Sequence, residues 1–125
     1  MTKTPSEITD AQLDVAAATF DILSVPARLS LVVILSTGEY DVSTLATRSG
    51  QAIPATSQQL AKLRAAGVVA ARREGRRQLY RVDDPHILTV IEQMFRHISP
   101  EGTLVNDEST LRRERRPRFT AVGTP

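Results

Sequence analysis

The chain's only two histidines, His86 and His97, lie eleven residues apart in the stretch DDPHILTVIEQMFRHISPE (83–101). Asp84 sits two places before the first, and Glu101 four places after the second. Imidazole nitrogens and carboxylate oxygens are donors that suit a tetrahedral Zn²⁺ ion. Nickel and cobalt are alternatives that prefer more ligands, and the chain offers no third histidine. With no cysteine in the sequence, disulfides and thiolate sites are excluded.

The spacing sets a condition on any such site. Eleven residues advance a helix by about 1100°, roughly 20° from a whole number of turns, so the two histidines share a face. They are also ~16 Å apart along the axis. With metal–nitrogen bonds of about 2.1 Å, one ion cannot bridge them within one helix. An antiparallel second copy of the helix removes the difficulty: Asp84 and His86 of one chain meet His97 and Glu101 of the other. Two-fold symmetry then makes two equal sites per homodimer. The competing reading is two plain surface histidines and an aspartate that only caps a helix. If Asp84 binds metal, Asp83 is the residue left to cap.

The elements that carry these residues are legible in outline. Leu13, Ala16, Ala17, Phe20 and Leu23 recur at helical spacing and predict a helix over about 8–23. Pro26 suits a first helical turn, and the run LSLVVIL predicts a second helix over about 26–36, apolar nearly all round and therefore buried. Two short helices follow, over about 43–49 with Asp41 or Ser43 as cap, and over about 54–66 closed by Gly67. Leu60, Leu63 and Ala66 are expected to anchor the latter. In VVAARREGRRQLYRV (68–82), Glu74-Gly75 separates two strand-like runs and predicts a hairpin with Arg72, Arg73, Arg76 and Arg77 at its tip. The last helix is expected from Pro85 to just before Pro100. Residues 1–99 are expected to be one DNA-binding and dimerisation domain, and 100–125 a tail without packed structure.

Helix, turn, helix and Arg-tipped hairpin is the order of a winged helix–turn–helix, a mainly α fold with a β wing (α+β). Charge agrees: residues 48–82 carry eight basic and one acidic side chain, between acidic flanks. Such a face suits a polyanion. The second short helix would enter the major groove of double-stranded DNA with Thr56, Ser57, Gln58, Gln59, Lys62 and Arg64, and the four arginines of the hairpin would lie along phosphates. A basic solvated surface is the plainer alternative. The Arg-rich RRERRPR (112–118) offers further nonspecific phosphate contacts or is simply solvated.

VPARLSLVVIL (25–35), VSTLATRSGQAIPATSQQLAKLRAAGVVAARREGRRQLYRV (42–82) and DDPHILTVIEQMFRHI (83–98) together resemble the ArsR/SmtB family of metal-responsive bacterial repressors. The likeness covers roughly residues 20–99. It is strongest at Pro26-x-Arg28, at 54–69, at the wing 73–82, and at Asp84-x-His86 followed by His97. It implies a homodimeric winged-helix repressor that binds an inverted-repeat operator and releases it on binding metal. Some members sense zinc through an Asp-x-His…His set on the last helix. Their fourth ligand stands three residues after the second histidine, where this chain has Pro100, with Glu101 next. Thiol sensors of the family carry Cys-x-Cys where this chain has Asp41-Val42-Ser43. A frequent cap serine and a frequent histidine of the groove helix are here Ala52 and Gln59.

The expected function is thus a zinc-released homodimeric repressor. A regulator of the same fold answering another signal, or none, is the alternative. An enzyme has no support, since the chain lacks a glycine-rich phosphate loop, a nucleophile–base motif and HExxH. A protein-interaction module built on the apolar second helix is a third reading. Without a signal peptide or an apolar run long enough to cross a bilayer, the expectation is a soluble, cytoplasmic protein without membrane contact.

Overall fold

The computed structural model describes residues 7–105. They fall into two compact units, one running to Thr89 and the other from Val90. The first holds α1 (Asp10–Leu23), α2 (Pro26–Leu35), α3 (Val42–Ser49), α4 (Ile53–Ala65), β1 (Ala70–Glu74) and β2 (Arg77–Arg81). α5 (Pro85–Arg96) begins in the first unit and continues in the second.

Each element starts and stops for a local reason. A capping box opens α1: the Gln12 N–H donates to the Thr9 Oγ1, and the Thr9 N–H donates to the Gln12 Oε1. Pro26 fills the first turn of α2, where its missing N–H costs nothing. Asp41, rather than Ser43, caps α3 by accepting the Thr44 N–H at 2.9 Å. Gly50 closes α3 at φ 70°, a left-handed conformation open to glycine. Ala52 gives α4 no side-chain cap, as its methyl requires.

The core is aliphatic, as a composition with 4% aromatics demands. Leu31 of α2, Leu45 of α3, and Leu60 and Leu63 of α4 all have 0% exposure. Leu23, Val32, Leu35, Val68, Val69, Leu79 and Val82 are buried as well. Two expectations are corrected. α2 is buried on one side only, with Leu29, Val33 and Ile34 half-exposed. Ala66 is exposed and caps the end of α4 instead of anchoring it.

β1 and β2 pair antiparallel, with Ala70 opposite Arg81 and Glu74 opposite Arg77. The turn is therefore Gly75-Arg76, one residue later than expected, with Gly75 at φ 64°. Tyr40 adds a bridge to Tyr80 through two backbone hydrogen bonds, 3.2 and 2.9 Å long. Leu79 is the buried residue of β2, on the face it shares with Arg77 and Arg81.

In the second unit α5 ends at Arg96, so His97 follows the helix rather than belonging to it. Its N–H donates to the Met94 carbonyl, a tightened last turn. Residues 98–105 then fold back. Ile98 and Leu104 form a bridge, the Val105 N–H donates to the His97 carbonyl, and Gly102 turns at φ 88°. This short turn replaces the first part of the expected unstructured tail; the Arg-rich stretch lies outside the described residues. No single described helix is long and apolar enough to cross a membrane.

Replacing Leu63 by Ala should leave a cavity under α4 and lower stability by roughly 2–5 kcal/mol. Urea unfolding followed by circular dichroism measures it.

Candidate functional site

α4 is amphipathic, with an anchored inner face and an exposed polar outer face. Thr56, Leu60 and Leu63 face inward with no exposure. Helical periodicity places Ser57, Gln58 and Ala61 on the outward side, and all three are exposed, with Lys62 and Arg64 flanking them. Thr56, expected among the groove-facing residues, is instead buried: its hydroxyl donates to the Ala52 carbonyl at 2.9 Å inside the fold. Its β-carbon position, one residue before Ser57, turns it to the core. Gln59 is also turned away from the outward face. It is half-buried, and its Oε1 accepts from Arg28 at 3.2 Å.

The turn between α3 and α4 is fixed from below. Gln51 donates its amide to the Ala27 carbonyl at 3.0 Å and to Ser30 Oγ at 3.4 Å, tying the turn to α2. Arg48 stacks 4.5 Å over the Tyr40 ring, which joins α3 to the residue that bridges the wing.

The wing arginines divide into two kinds. Arg72 grips Glu39 through Nη2–Oε1 at 2.8 Å and Nε–Oε2 at 3.0 Å. Arg81 reaches the same carboxylate at 3.9 Å and Asp83 at 3.0 Å. Arg77 donates to Asp41 Oδ2 at 3.3 Å, while Asp41 Oδ1 is capping α3. These contacts brace the hairpin against the segment before α3. Arg72 and Arg77 are thus paired within the protein while staying about half exposed, so the four expected phosphate-facing arginines are not equally free. Arg73 and Arg76 are exposed and carry no ion pair among the described residues. Between the start of α3, Ser57 and the wing residues Arg76, Arg77 and Gln78 lies an open groove of about 430 Å³.

Charge pairing shows in the carboxylates. The Arg72 hydrogen bond, reinforced by the charges of Arg72 and Arg81, holds the Glu39 carboxyl below its usual 4.5. The Thr44 backbone N–H, followed by the Thr44 side chain and Arg77, does the same for Asp41.

At the start of α5, Asp84 Oδ1 accepts the His86 backbone N–H at 2.8 Å and lies 3.0 Å from His86 Nδ1. Asp84, not Asp83, is therefore the cap, and Asp83 pairs with Arg81. The backbone N–H of His86 is the main reason the Asp84 carboxyl sits below its usual value. The His86 side chain is 92% exposed, so its Nε2 is open to a ligand. His97 and Glu101 are exposed too, Glu101 in the turn after α5. Among the described residues of one chain, no three His, Asp or Glu side chains converge on a common point.

The sequence profile described as bacterial regulatory protein, arsR family, matches residues 25–71. The transcriptional regulator KmtR of Mycobacterium tuberculosis is 34% identical over 92 residues, covering 73% of this chain and 71% of the relative. The transcriptional repressor SmtB of the same species is 34% identical over 98 residues, covering 78% and 70%. The chain belongs to the ArsR family. Among solved structures, this ArsR-family chain is similar to the homodimeric winged helix–turn–helix DNA-binding domain of a possible ArsR-family regulator from Mycobacterium bovis. That likeness has a TM-score of 0.63 and 32% identity, covering 71% of this chain and 85% of that one. The ArsR-family protein described here is accordingly a transcriptional regulator built on a winged helix, and not an enzyme.

Sequence reasoning missed three residues of the site. Arg28 carried a motif signal, Pro26-x-Arg28, but no visible partner. Glu39 looked like a loop acid and Asp41 like a helix cap alone until the hairpin register brought Arg72 and Arg77 to them.

Glu39 should make the wing acid-sensitive. Its depressed folded value means its contribution is present above 4.5 and lost as pH falls through the lower folded value. Glu39→Gln should remove that part of the acid destabilisation, read as a flatter change of urea midpoint between neutral and acid pH.

Proposed function

We propose that the protein is a homodimeric repressor that binds an inverted-repeat operator and is released by Zn²⁺ held between the α5 segments of two copies. The observation that carries the metal part is the Asp84–His86 pair at the start of α5. Asp84 holds His86 through the cap contact and the side chain of His86 stays exposed; to ligate the same ion as His86, Asp84 must release its contact with Nδ1, and the plain-cap reading of Asp84 gains from that. The donors fit zinc in kind: two exposed imidazoles and two carboxylates. Among the described residues of one chain no three such side chains form a group, and in this reading a second copy completes the set. His86 and Asp84 would come from one chain, His97 and Glu101 from the other. Nickel and cobalt remain lesser alternatives on the same donors.

Dimerisation is supported by apolar side chains that a single copy leaves open. Leu13, Val15 and Phe20 of α1 and Met94 and Phe95 of α5 are each between 44% and 67% exposed. Covering such surface is the usual reason for a symmetric pair. The M. bovis domain with the same fold is homodimeric.

On DNA, α4 would lie in the major groove with Ser57 and Gln58 toward base edges and Lys62 and Arg64 toward phosphate. Arg73 and Arg76 would contact the backbone from the wing. A zinc ion supplies a clamp between the two α5 segments. If the clamped dimer holds the two α4 helices at a separation that misfits successive grooves, zinc weakens operator binding, and linkage makes DNA weaken zinc binding by the same factor. The second reading is a regulator of this fold that answers another signal. Pro100, standing where the zinc sensors of this family place a ligand, favours it.

Two measurements test the proposal. EDTA-stripped, zinc-reloaded protein should retain one Zn²⁺ per subunit, and His97→Ala should lose it; equal retention by the variant removes the metal reading and leaves the second one. For DNA, Arg73→Ala and Arg76→Ala should each reduce the slope of log affinity against log salt by about 0.9, one phosphate contact each. Arg72→Ala should leave that slope nearly unchanged, because its guanidinium is held by Glu39.

A further inference from the structure

One guanidinium joins three helices. Arg28, in the first turn of α2, is half-buried. Its Nε donates to the Ile22 carbonyl at 2.8 Å, and its Nη1 donates to Gln59 Oε1 at 3.2 Å. Ile22 lies in the last turn of α1, whose carbonyls have no helical partner and which holds no basic residue of its own. Ser24 already donates to the Asp21 carbonyl at this helix end; Arg28 adds a hydrogen bond to the Ile22 carbonyl and the positive charge that the end otherwise lacks. Gln59 lies thirty-one residues away in sequence, next to Ser57 and Gln58 on α4.

Neither partner is a carboxylate, so apart from the pull of the helix end the arrangement rests on direction. A guanidinium is a planar fork whose donors point at fixed angles, and a lysine ammonium cannot hold two such acceptors in the same way. The neighbouring Gln51 contact to the Ala27 carbonyl ties the turn before α4 to the same stretch of α2. α1, at the other end of the fork, is the helix whose Leu13, Val15 and Phe20 stand exposed.

We propose that Arg28 is a positioning residue that fixes the orientation of α4 relative to α1, so that the apolar helix and the DNA-reading helix turn as one piece. This rests on the reading of α4 as the groove helix. Through this fork, a change in how two copies pack along α1 is transmitted to Ser57 and Gln58 without passing through the last helix.

The test compares affinity for the tightest duplex selected by wild-type protein from a randomised pool with affinity for an unrelated duplex of the same length. Arg28→Lys keeps the charge and loses the fork; Gln59→Leu keeps the bulk and loses the acceptor. Each should weaken the selected duplex by roughly tenfold, the size of a lost base contact, while binding to the unrelated duplex, set by phosphates, stays within about twofold. The double variant should be no worse than either single, since both cut the same link. Gln59→Glu, which keeps an acceptor for Arg28, should retain the selectivity. Oligomeric state and melting temperature are recorded alongside. If affinity for both duplexes falls together with the melting temperature, or if neither duplex is affected, Arg28 only braces the fold and the proposal is wrong. Losses that multiply in the double variant also overturn it. Ser57→Ala and Gln58→Ala separate the two layers of argument. If they weaken the selected duplex while Arg28→Lys does not, the positioning role alone fails. If they too leave it unchanged, the groove-helix reading falls, and the proposal with it.

Discussion

Everything in the first unit depends on a seam of leucines with no exposure: Leu31, Leu45, Leu60 and Leu63. With so few aromatics, the chain cannot fill space with a few large rings. It must bring α2, α3 and α4 close enough for branched aliphatic side chains to meet. Once Leu60 and Leu63 are seated, the rotation of α4 about its own axis is settled. Thr56 is carried inward with them and Ser57 and Gln58 outward, because a helix advances about 100° per residue. What the helix presents outward is a by-product of what it must bury.

Charge is used twice in the wing. Three arginines are answered by Glu39, Asp41 and Asp83, and two are left over. The answered ones tie a short hairpin, too small to be stable alone, to the segment before α3. The unanswered ones give the surface its positive potential. A count of basic residues sees only the sum of the two groups.

The order of elements, the helical stripes and the hairpin were legible in the sequence, because hydrophobic period and glycine placement are local signals. The boundaries were nearly so. What was not legible depended on partners distant in sequence or on one-residue phase. The hairpin turn fell one residue later because its register is set by pairing, not by the glycine alone. Thr56 looked polar and available, but its helical phase matches Leu60 and Leu63. Asp83 and Asp84 were interchangeable as caps until Arg81 claimed the former. The equivalence of the two histidines on one helical face also did not survive intact: α5 stops at Arg96, and His97 begins the turn that folds back over 98–105. Arg28 was visible as a motif and silent as a mechanism, since its two acceptors come from α1 and α4.

Asp41 spends one oxygen on the first turn of α3 and the other on Arg77. This chain resembles a family whose thiol sensors carry Cys-x-Cys at that same stretch, and the two uses exclude each other. A thiol at position 41 would cap the helix poorly and release the wing arginine; a carboxylate there offers no thiolate to a soft metal. What position 41 can bind is thus tied to how the wing is fastened. Exchanging Asp41 for cysteine would therefore undo a mechanical joint before it supplied any new chemistry.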